Sequence, residues 1–202
     1  LVWHPMLQLA GSVADLSRYQ RVTTATDFDT VGFPYYLSVL GTDDSYTSAT
    51  GGGGSAGFFW CGAIKPTGGA GTVRTLWADN GTNTGYKVQL DAANKLSFSA
   101  GNNTAFTTKA STATVDVGTT YLLTVWDDGT NLNVQINSAA AETVARPVVV
   151  AGTAGFTRFK DNGAASSFFI GYDYAEVDWK DTAGTAAERA AVQAYVRSQA
   201  GL

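Results

Sequence analysis

Residues 121–136 read YLLTVWDDGTNLNVQI, which is the pattern of an antiparallel β-hairpin. Two runs rich in apolar, aromatic and β-branched residues, Tyr121 to Trp126 and Leu132 to Ile136, flank the turn formers Asp127-Asp128-Gly129. Apolar runs joined by a short Asp/Gly segment indicate two strands connected by a tight turn. We therefore expect two adjacent strands in this part of the chain.

The same alternation of strand-like runs and turn signals continues on both sides of this hairpin. The further strand-like runs are Phe58 to Ile64, Val73 to Ala78, Tyr86 to Leu90, Lys95 to Ser99 and Phe168 to Tyr172. Turn signals separate them at the spacing of a sandwich, among them Lys65-Pro66-Thr67-Gly68-Gly69, Asp79-Asn80-Gly81 and Gly101-Asn102-Asn103. Apolar residues that alternate with small or polar ones fit half-buried antiparallel strands. The pattern predicts an all-β fold, an antiparallel β-sandwich.

Composition agrees with one folded domain and excludes several classes of partner. The 202 residues are 45% hydrophobic and only 15% charged, with 23 glycines, which suits one core and many turns. With a net charge of -4 and no run of basic residues, the sequence predicts no positively charged surface for binding nucleic acid. No apolar stretch approaches the ~20 residues of a membrane helix, so we expect no membrane insertion. Because the chain begins at Leu1 without a signal peptide, we expect a soluble fragment of a larger protein.

The two ends of the chain differ from the middle. Thr185-Ala186-Ala187-Glu188 is a capping box, and an apolar stripe follows at helical spacing, which predicts a helix over 185–200 ending near Gly201. We expect this helix to pack on the edge or rim of the sandwich. Residues 1–30 suggest one strand and a linker. The apolar side chains Trp3, Leu7 and Leu9 need this domain's core, a neighbouring subunit or a missing upstream module, of which the segment would be a remnant. The sandwich domain is predicted to span 31–202.

The order of these pieces resembles laminin-G-like, concanavalin A-like jelly-roll domains of phage and bacterial surface proteins over about residues 35 to 202. The segments that carry the resemblance are residues 36–44 (YLSVLGTDD), 57–66 (GFFWCGAIKP), 121–132 (YLLTVWDDGTNL), 168–171 (FFIG) and 175–179 (AEVDW). Residues 1–29, with Trp3 and Tyr19-Gln20-Arg21-Val22, resemble the end of a jelly-roll module that is common in phage tail and tail-fibre proteins.

The resemblance implies a non-enzymatic adhesion module of a bacteriophage virion, in a tail, fibre or decoration protein. It would bind a host-surface glycan and form a homo-oligomer, a trimer favoured, through its upstream region. It would sit on the tail or capsid surface, soluble and extracellular on the particle. One alternative is a structural domain that binds only other virion proteins, and another is a polysaccharide-degrading hydrolase.

The residues give little support to catalysis. Glu176-Val177-Asp178-Trp179-Lys180 invites comparison with the Glu-x-Asp-x-Glu strand of retaining glucanases on this fold, but Lys180 stands at the acid/base position. An ammonium group there cannot act in turn as acid and carboxylate base. His4 is the only histidine and Cys61 the only cysteine, which we expect to be a buried small hydrophobe. No enzyme activity is predicted.

Oxygen ligands remain the only route to a bound metal. Ca²⁺ prefers several carboxylates and carbonyls in a loop, and the densest candidates are Asp43, Asp44, Asp127 and Asp128. Paired aspartates in Gly-rich turns also form hydrogen bonds to the local backbone, so the alternative is a turn-forming role. Ca²⁺ is the only cofactor that the sequence suggests.

Two groups of aromatic and polar residues suit carbohydrate binding, in which a ring stacks on sugar C–H groups and polar side chains bind hydroxyls. The first group surrounds one hairpin and consists of Trp77, Asn80, Asn83 and Tyr86; the second is Tyr172, Asp173 and Tyr174. Each aromatic residue has the alternative of lying in the core, as we expect for Trp60 and Trp126.

Overall fold

The computed structural model describes residues 2–3, 8–9, 12–14, 22–26, 29–31, 36–39, 45–48, 54–152, 155–161 and 167–202. These residues form seventeen strands and one helix. The elements, numbered in chain order, are β1 (Val2–Trp3), β2 (Gln8–Leu9), β3 (Ser12–Ala14), β4 (Val22–Thr26), β5 (Asp29–Val31), β6 (Tyr36–Val39), β7 (Ser45–Ser48), β8 (Phe58–Pro66), β9 (Arg74–Ala78), β10 (Tyr86–Leu90), β11 (Lys95–Gly101), β12 (Phe106–Thr114), β13 (Tyr121–Asp127), β14 (Asn131–Ile136), β15 (Glu142–Ala145), β16 (Phe156–Arg158), β17 (Gly171–Lys180) and α1 (Ala186–Gln199).

The strands form two antiparallel sheets that face each other. The first sheet has the order β15-β14-β13-β8-β17-β6-β5, and β1 also pairs with β17. The second sheet has the order β12-β11-β10-β9-β16-β7-β4-β3-β2. The predicted all-β sandwich with a C-terminal helix is confirmed.

The predicted hairpin at 121–136 lies inside the first sheet. Trp126 of β13 pairs with Asn133 of β14, and the carboxylate of Asp128 accepts the backbone N–H groups of Thr130 and Asn131 at 2.9 and 2.8 Å. On its other side β13 pairs with β8 along its whole length. The hairpin therefore lies between β8, in the interior of the sheet, and β15 at its edge.

The core between the sheets is built on stacked aromatic rings. The ring of Phe58 lies 4.5 Å from that of Trp77, 4.9 Å from Tyr86 and 5.7 Å from Phe98, measured between centroids. Trp60 lies in the same core, as predicted. Stacked rings bury large apolar areas in favourable geometry, so this group stabilises the contact between the two sheets.

The capping box at the start of α1 is confirmed, because Thr185 accepts the N–H of Glu188 and the Glu188 carboxylate accepts the N–H of Thr185. Gly201 has φ of 67°, the predicted left-handed conformation after the helix. The predicted position of the helix was wrong: α1 packs across β17, β8 and β13 on the outer face of the first sheet, not on the rim.

A second apolar cluster explains this position. The outward side chains of the first sheet include Phe59, Cys61 and Val177, and the helix covers them with Val196. Trp126 and Cys61, both predicted to be buried, lie in this second cluster. Packing on this face removes these apolar side chains from water, whereas a helix at the rim would leave them exposed. None of the helical structure among the described residues has both the length and the apolar character required to cross a bilayer.

The first thirty residues contribute strands to both sheets. β1 pairs with β17 and β5 with β6 in the first sheet, while β4 pairs with β7 in the second. The single strand and linker expected for this segment are thus replaced by several short strands. The predicted domain boundary at residue 30 falls inside β5.

Candidate functional site

A β-bulge in β17 determines which side chains of this strand face outward. In register with β8, Asp173 pairs with Ile64 and Ala175 with Ala63, so that Tyr174 is the extra residue. One inserted residue reverses the alternation of side chains between the two faces of a strand. Before the bulge Tyr172 points outward and Asp173 inward; after it Glu176 and Asp178 point inward.

Three tyrosines meet on the outer face of the first sheet where β6 and β17 run side by side. The ring centroid of Tyr36 lies 4.3 Å from that of Tyr172 and 5.6 Å from that of Tyr174. Tyr36 and Tyr172 are half-exposed, and Tyr174 is 9% exposed. Of the predicted residues, the structure therefore brings Tyr172 and Tyr174 together on this face, where Tyr172 is half-exposed and Tyr174 is buried.

Polar side chains flank these rings. Tyr172 pairs with Ser38 of β6 on one side and with Lys65 of β8 on the other. Residues directly opposite each other in a sheet share a face, so the row Ser38, Tyr172, Lys65 is presented together, and the side chains of Ser38 and Lys65 are half-exposed. We call Tyr36, Ser38, Lys65, Tyr172 and Tyr174 the tyrosine surface.

Asp173 does not belong to this surface, which corrects the prediction for that residue. Its carboxyl lies inside the sandwich at 3% exposure, and its Oδ1 has no hydrogen-bond partner among the described residues. Burial, and then the charge of Glu176, raise the pKa of Asp173 well above its ordinary value. Asp173 is thus a buried carboxyl group directed away from any ligand at the tyrosine surface.

The inner side of β17 carries a buried ionic cluster. Arg158 of β16 forms an ion pair with Glu176 and donates from Nη2 to Oδ1 of Asp178 at 2.7 Å. Trp60 donates from its indole nitrogen to Oε2 of Glu176 at 2.8 Å. Burial raises the pKa of Glu176, and the charge of Arg158 opposes that effect. The cluster links the two sheets in their interior.

This cluster accounts for the glucanase-like segment of the sequence. Glu176 and Asp178 are each 3% exposed and face the guanidinium of Arg158, not a cleft. Glycoside hydrolysis requires two carboxyl groups that flank a bound sugar, with room for the substrate between them. The geometry assigns Glu176 and Asp178 to the interior.

The predicted hairpin group is divided between core and surface. Trp77 and Tyr86 are 0% exposed, so we correct their predicted role from ligand stacking to core packing. The Asn80 amide donates to Oδ1 of Asp161 at 3.1 Å, and that of Asn83 donates to the carbonyl of Thr104 at 2.7 Å. Asn83 remains half-exposed at φ of 56°, in a turn of the second sheet.

The outer face of the second sheet carries a polar network around Asp161. Its carboxylate accepts from Gln89 at 3.4 Å, and the Lys87 ammonium lies 3.9 Å away. That ammonium also stands 4.2 Å from the centre of the Phe106 ring. These contacts hold the segment after β16 against β10.

The aspartates predicted as Ca²⁺ ligands are only partly described. Asp43 and Asp44 lie outside the described residues, as does His4, so Ca²⁺ at that turn stays a prediction. Asp127 accepts from the Tyr86 hydroxyl at 2.7 Å and forms an ion pair with Arg146, and Asp128 accepts turn N–H groups. Among the residues that the structure describes, no three His, Cys, Asp or Glu side chains form a group able to hold a metal.

Sequence reasoning missed Tyr36, Ser38 and Lys65. Tyr36 and Ser38 belong to the segment 36–44 that carried the family resemblance, and Lys65 belongs to a predicted turn. Their relation to Tyr172 depends on pairing between strands that lie far apart in the chain. The sequence of β6 did offer a usable signal, because Tyr36 and Ser38 alternate with the apolar Leu37 and Val39. In the structure the first two are half-exposed and the last two are buried. It identifies the outward side chains but not their neighbours.

No protein-family model matches the chain, and no curated protein matches it. Solved structures do share its fold. The binding domain of botulinum neurotoxin DC, solved with rat synaptotagmin II, has a TM-score of 0.74 at 11% identity over 97% of this chain and 51% of that one. A structure of botulinum neurotoxin type C, from a study of the dependence of its cell entry on two ganglioside molecules, has a TM-score of 0.73 at 12% identity over 97% and 51%.

The receptor-binding domain of botulinum neurotoxin type G is similar too, with a TM-score of 0.69 at 12% identity over 96% of this chain and 51% of that chain. The present chain therefore spans about half the length of each of these neighbours. At such low identity the likeness establishes the β-sandwich fold, a fold that these receptor-binding domains use.

Proposed function

We propose that this domain is a non-enzymatic binding module that recognises carbohydrate through the tyrosine surface. One observation carries the proposal: the rings of Tyr36 and Tyr172 lie 4.3 Å apart and both are half-exposed. Aromatic rings pack against the C–H groups of sugars, while neighbouring polar groups bind hydroxyls. Ser38 and Lys65 provide such groups on either side of Tyr172.

The carrier that we propose is a phage virion, and the ligand is a glycan of the host surface. The support is the resemblance of residues 1–29 and 35–202 to modules of phage tail and surface proteins. Several copies, brought together as a homo-oligomer, would multiply a weak single-site affinity. The sandwich fold that receptor-binding domains of botulinum neurotoxins share is consistent with such a role.

Glycan-array and whole-cell binding of a multimerised domain test the proposal. We expect Tyr172→Ala to lower binding at least tenfold, since it removes the central ring, and Tyr172→Phe to retain most of it. Phe106→Ala is the matched control, because it removes a half-exposed ring from the other sheet. Sensitivity to EDTA would support Ca²⁺ at Asp43 and Asp44.

The other possible results of these assays point to alternative functions or to another binding site. If the multimer binds no glycan and no cell, the proposal fails, and a structural domain that binds only other virion proteins is the better account. If Tyr172→Ala binds glycan as well as the Phe106→Ala control does, carbohydrate recognition lies elsewhere on the sandwich. A fall in polysaccharide viscosity on incubation would instead support a hydrolase.

A further inference from the structure

Two arginines of the described chain are fully buried, and their surroundings differ. Arg158 is 1% exposed and has the carboxylates of Glu176 and Asp178 beside it. Arg74, at the start of β9, is 0% exposed, and among the described residues no carboxylate oxygen lies within 4.0 Å of its guanidinium. A buried charge without a counterion in direct contact is costly, so Arg74 requires an explanation.

The hydrogen bonds of Arg74 leave part of its guanidinium unused. Nη1 donates to the carbonyl of Gly68 at 2.9 Å, and Nη2 donates to Oδ1 of Asn94. Nε is buried and has no hydrogen-bond partner among the described residues. Both partners are neutral oxygens, and a guanidinium stays charged at every physiological pH. No countercharge of the described chain lies within 4.0 Å of the guanidinium. The charge of Asp91 acts from a greater distance and raises the pKa of Arg74, but burial outweighs it and lowers that pKa.

An exposed glycine-rich loop, residues 67–72, lies against this arginine. Gly69 has φ of +74°, and a Cβ atom at this position would lie 2.6 Å from Cδ of Arg74. The Thr72 hydroxyl closes the loop by donating to the carbonyl of Gly69 at 2.7 Å. Glycine permits both the left-handed backbone and the close approach to Arg74. Because Arg74 is fully buried, a ligand would reach its guanidinium by displacing this loop.

We propose that Arg74, Asn94 and the glycine loop form a binding site for an oxyanion, the carboxylate or sulfate group of a ligand. Guanidinium groups bind such anions through two parallel hydrogen bonds, and Nε is one of the donors suited to this geometry. The anion would supply a countercharge in direct contact with the guanidinium, which Asp91 does not, and would accept a hydrogen bond from Nε. The loop begins two residues after Lys65, yet the site requires no residue of the tyrosine surface and does not rest on the proposed carbohydrate binding.

The test uses the folded chain with sodium sulfate and sodium acetate as probes, and sodium chloride at equal ionic strength as reference. Thermal unfolding should show a saturable rise of the melting temperature with at least one oxyanion, and NMR should show saturable shifts of the Gly68, Gly69 and Gly71 amides. We expect Arg74→Met to reduce the rise to less than a tenth. Arg197→Met is the control, because it removes a partly buried arginine of α1, and it should respond as the parent does.

Two results would overturn the proposal: equal responses of Arg74→Met and the parent, or titration of the parent without saturable shifts of the loop amides. The amide titration needs no variant, so the proposal stays testable if Arg74→Met fails to fold. Different shifts with sulfate and acetate would identify the preferred anion. Because Tyr172→Ala should leave this response unchanged, failure here and failure of carbohydrate binding can be told apart.

Discussion

The indole nitrogen of Trp60 donates a 2.8 Å hydrogen bond to Oε2 of Glu176, in the interior between the sheets. Glu176 also receives Arg158 from the second sheet, so one carboxylate is bonded from both layers of the sandwich. Removing one partner of a buried ion pair destabilises the fold more than replacing both partners, because the remaining charge stays buried without a countercharge.

Arg158→Met should therefore destabilise the domain by about 3–5 kcal/mol. The variant leaves Glu176 and Asp178 buried without their cation. Urea unfolding at pH 7 measures the loss. The triple variant Arg158→Met, Glu176→Gln, Asp178→Asn is the control and should recover a large part of the stability. A loss below about 1 kcal/mol in the single variant would contradict the assigned ion pairs.

Asp173→Asn should change how stability depends on pH. The pKa of Asp173 is raised in the folded state, chiefly by burial, so folding favours the protonated carboxyl. Such a group stabilises the fold below its unfolded pKa of about 3.9, and the contribution is lost as the pH rises through the folded pKa. The asparagine variant cannot ionise and avoids that loss.

We expect the free energy of unfolding of Asp173→Asn, relative to the parent, to increase from pH 4 to pH 8. The increase is about 1.4 kcal/mol for each unit by which folding raises the pKa. Chemical denaturation at intervals of one pH unit measures it. A difference that stays constant over this range would show that Asp173 ionises as freely in the folded chain as in the unfolded one.

Cys61 should resist thiol reagents in the native state. Burial raises the pKa of its thiol to about 12, and the side chain lies in the apolar cluster beneath α1. Because the thiolate is the reactive form, a thiol-specific colour reagent should label the chain only after denaturation. Complete labelling within minutes in native buffer would mean that α1 leaves this face of the sheet open.

Thr185→Ala should destabilise the domain by about 1 kcal/mol, because it removes the side chain that caps α1. Thr119→Ala, a change at another exposed threonine, is the control and should have a much smaller effect. Thermal or urea unfolding compares the two. Equal effects of the two substitutions would show that the cap does not contribute to the stability measured.

Local signals were enough to predict the hairpin at 121–136 and the capped helix, because both depend on residues close together in sequence. The position of α1 was not predictable in this way, since it follows from the apolar outer face that Phe59, Cys61 and Val177 form only when β8 and β17 pair.

The candidate site was predicted in part, for a related reason. Tyr172 and Tyr174 were identified from composition, but Tyr36 lies more than a hundred residues away and meets them only through the pairing of β6 with β17. Arg74 and Arg158 carried no sequence signal, because nothing local distinguishes a buried arginine from an exposed one. The core position of Tyr86 could have been predicted from the alternation in β10, whereas β9 is buried along its whole length and gives no such alternation for Trp77.

The bulge at Tyr174 separates two structural roles within one strand. Residue 172 meets the solvent, whereas residues 176 and 178 hold the layers together, and the extra residue uncouples their faces. Insertion or deletion of one residue on either side would exchange the two environments, so the length of this strand should be inherited more strictly than the identity of residue 172. A library randomised at positions 36, 65 and 172 would therefore explore new ligands while leaving the ion pairs of the interior intact.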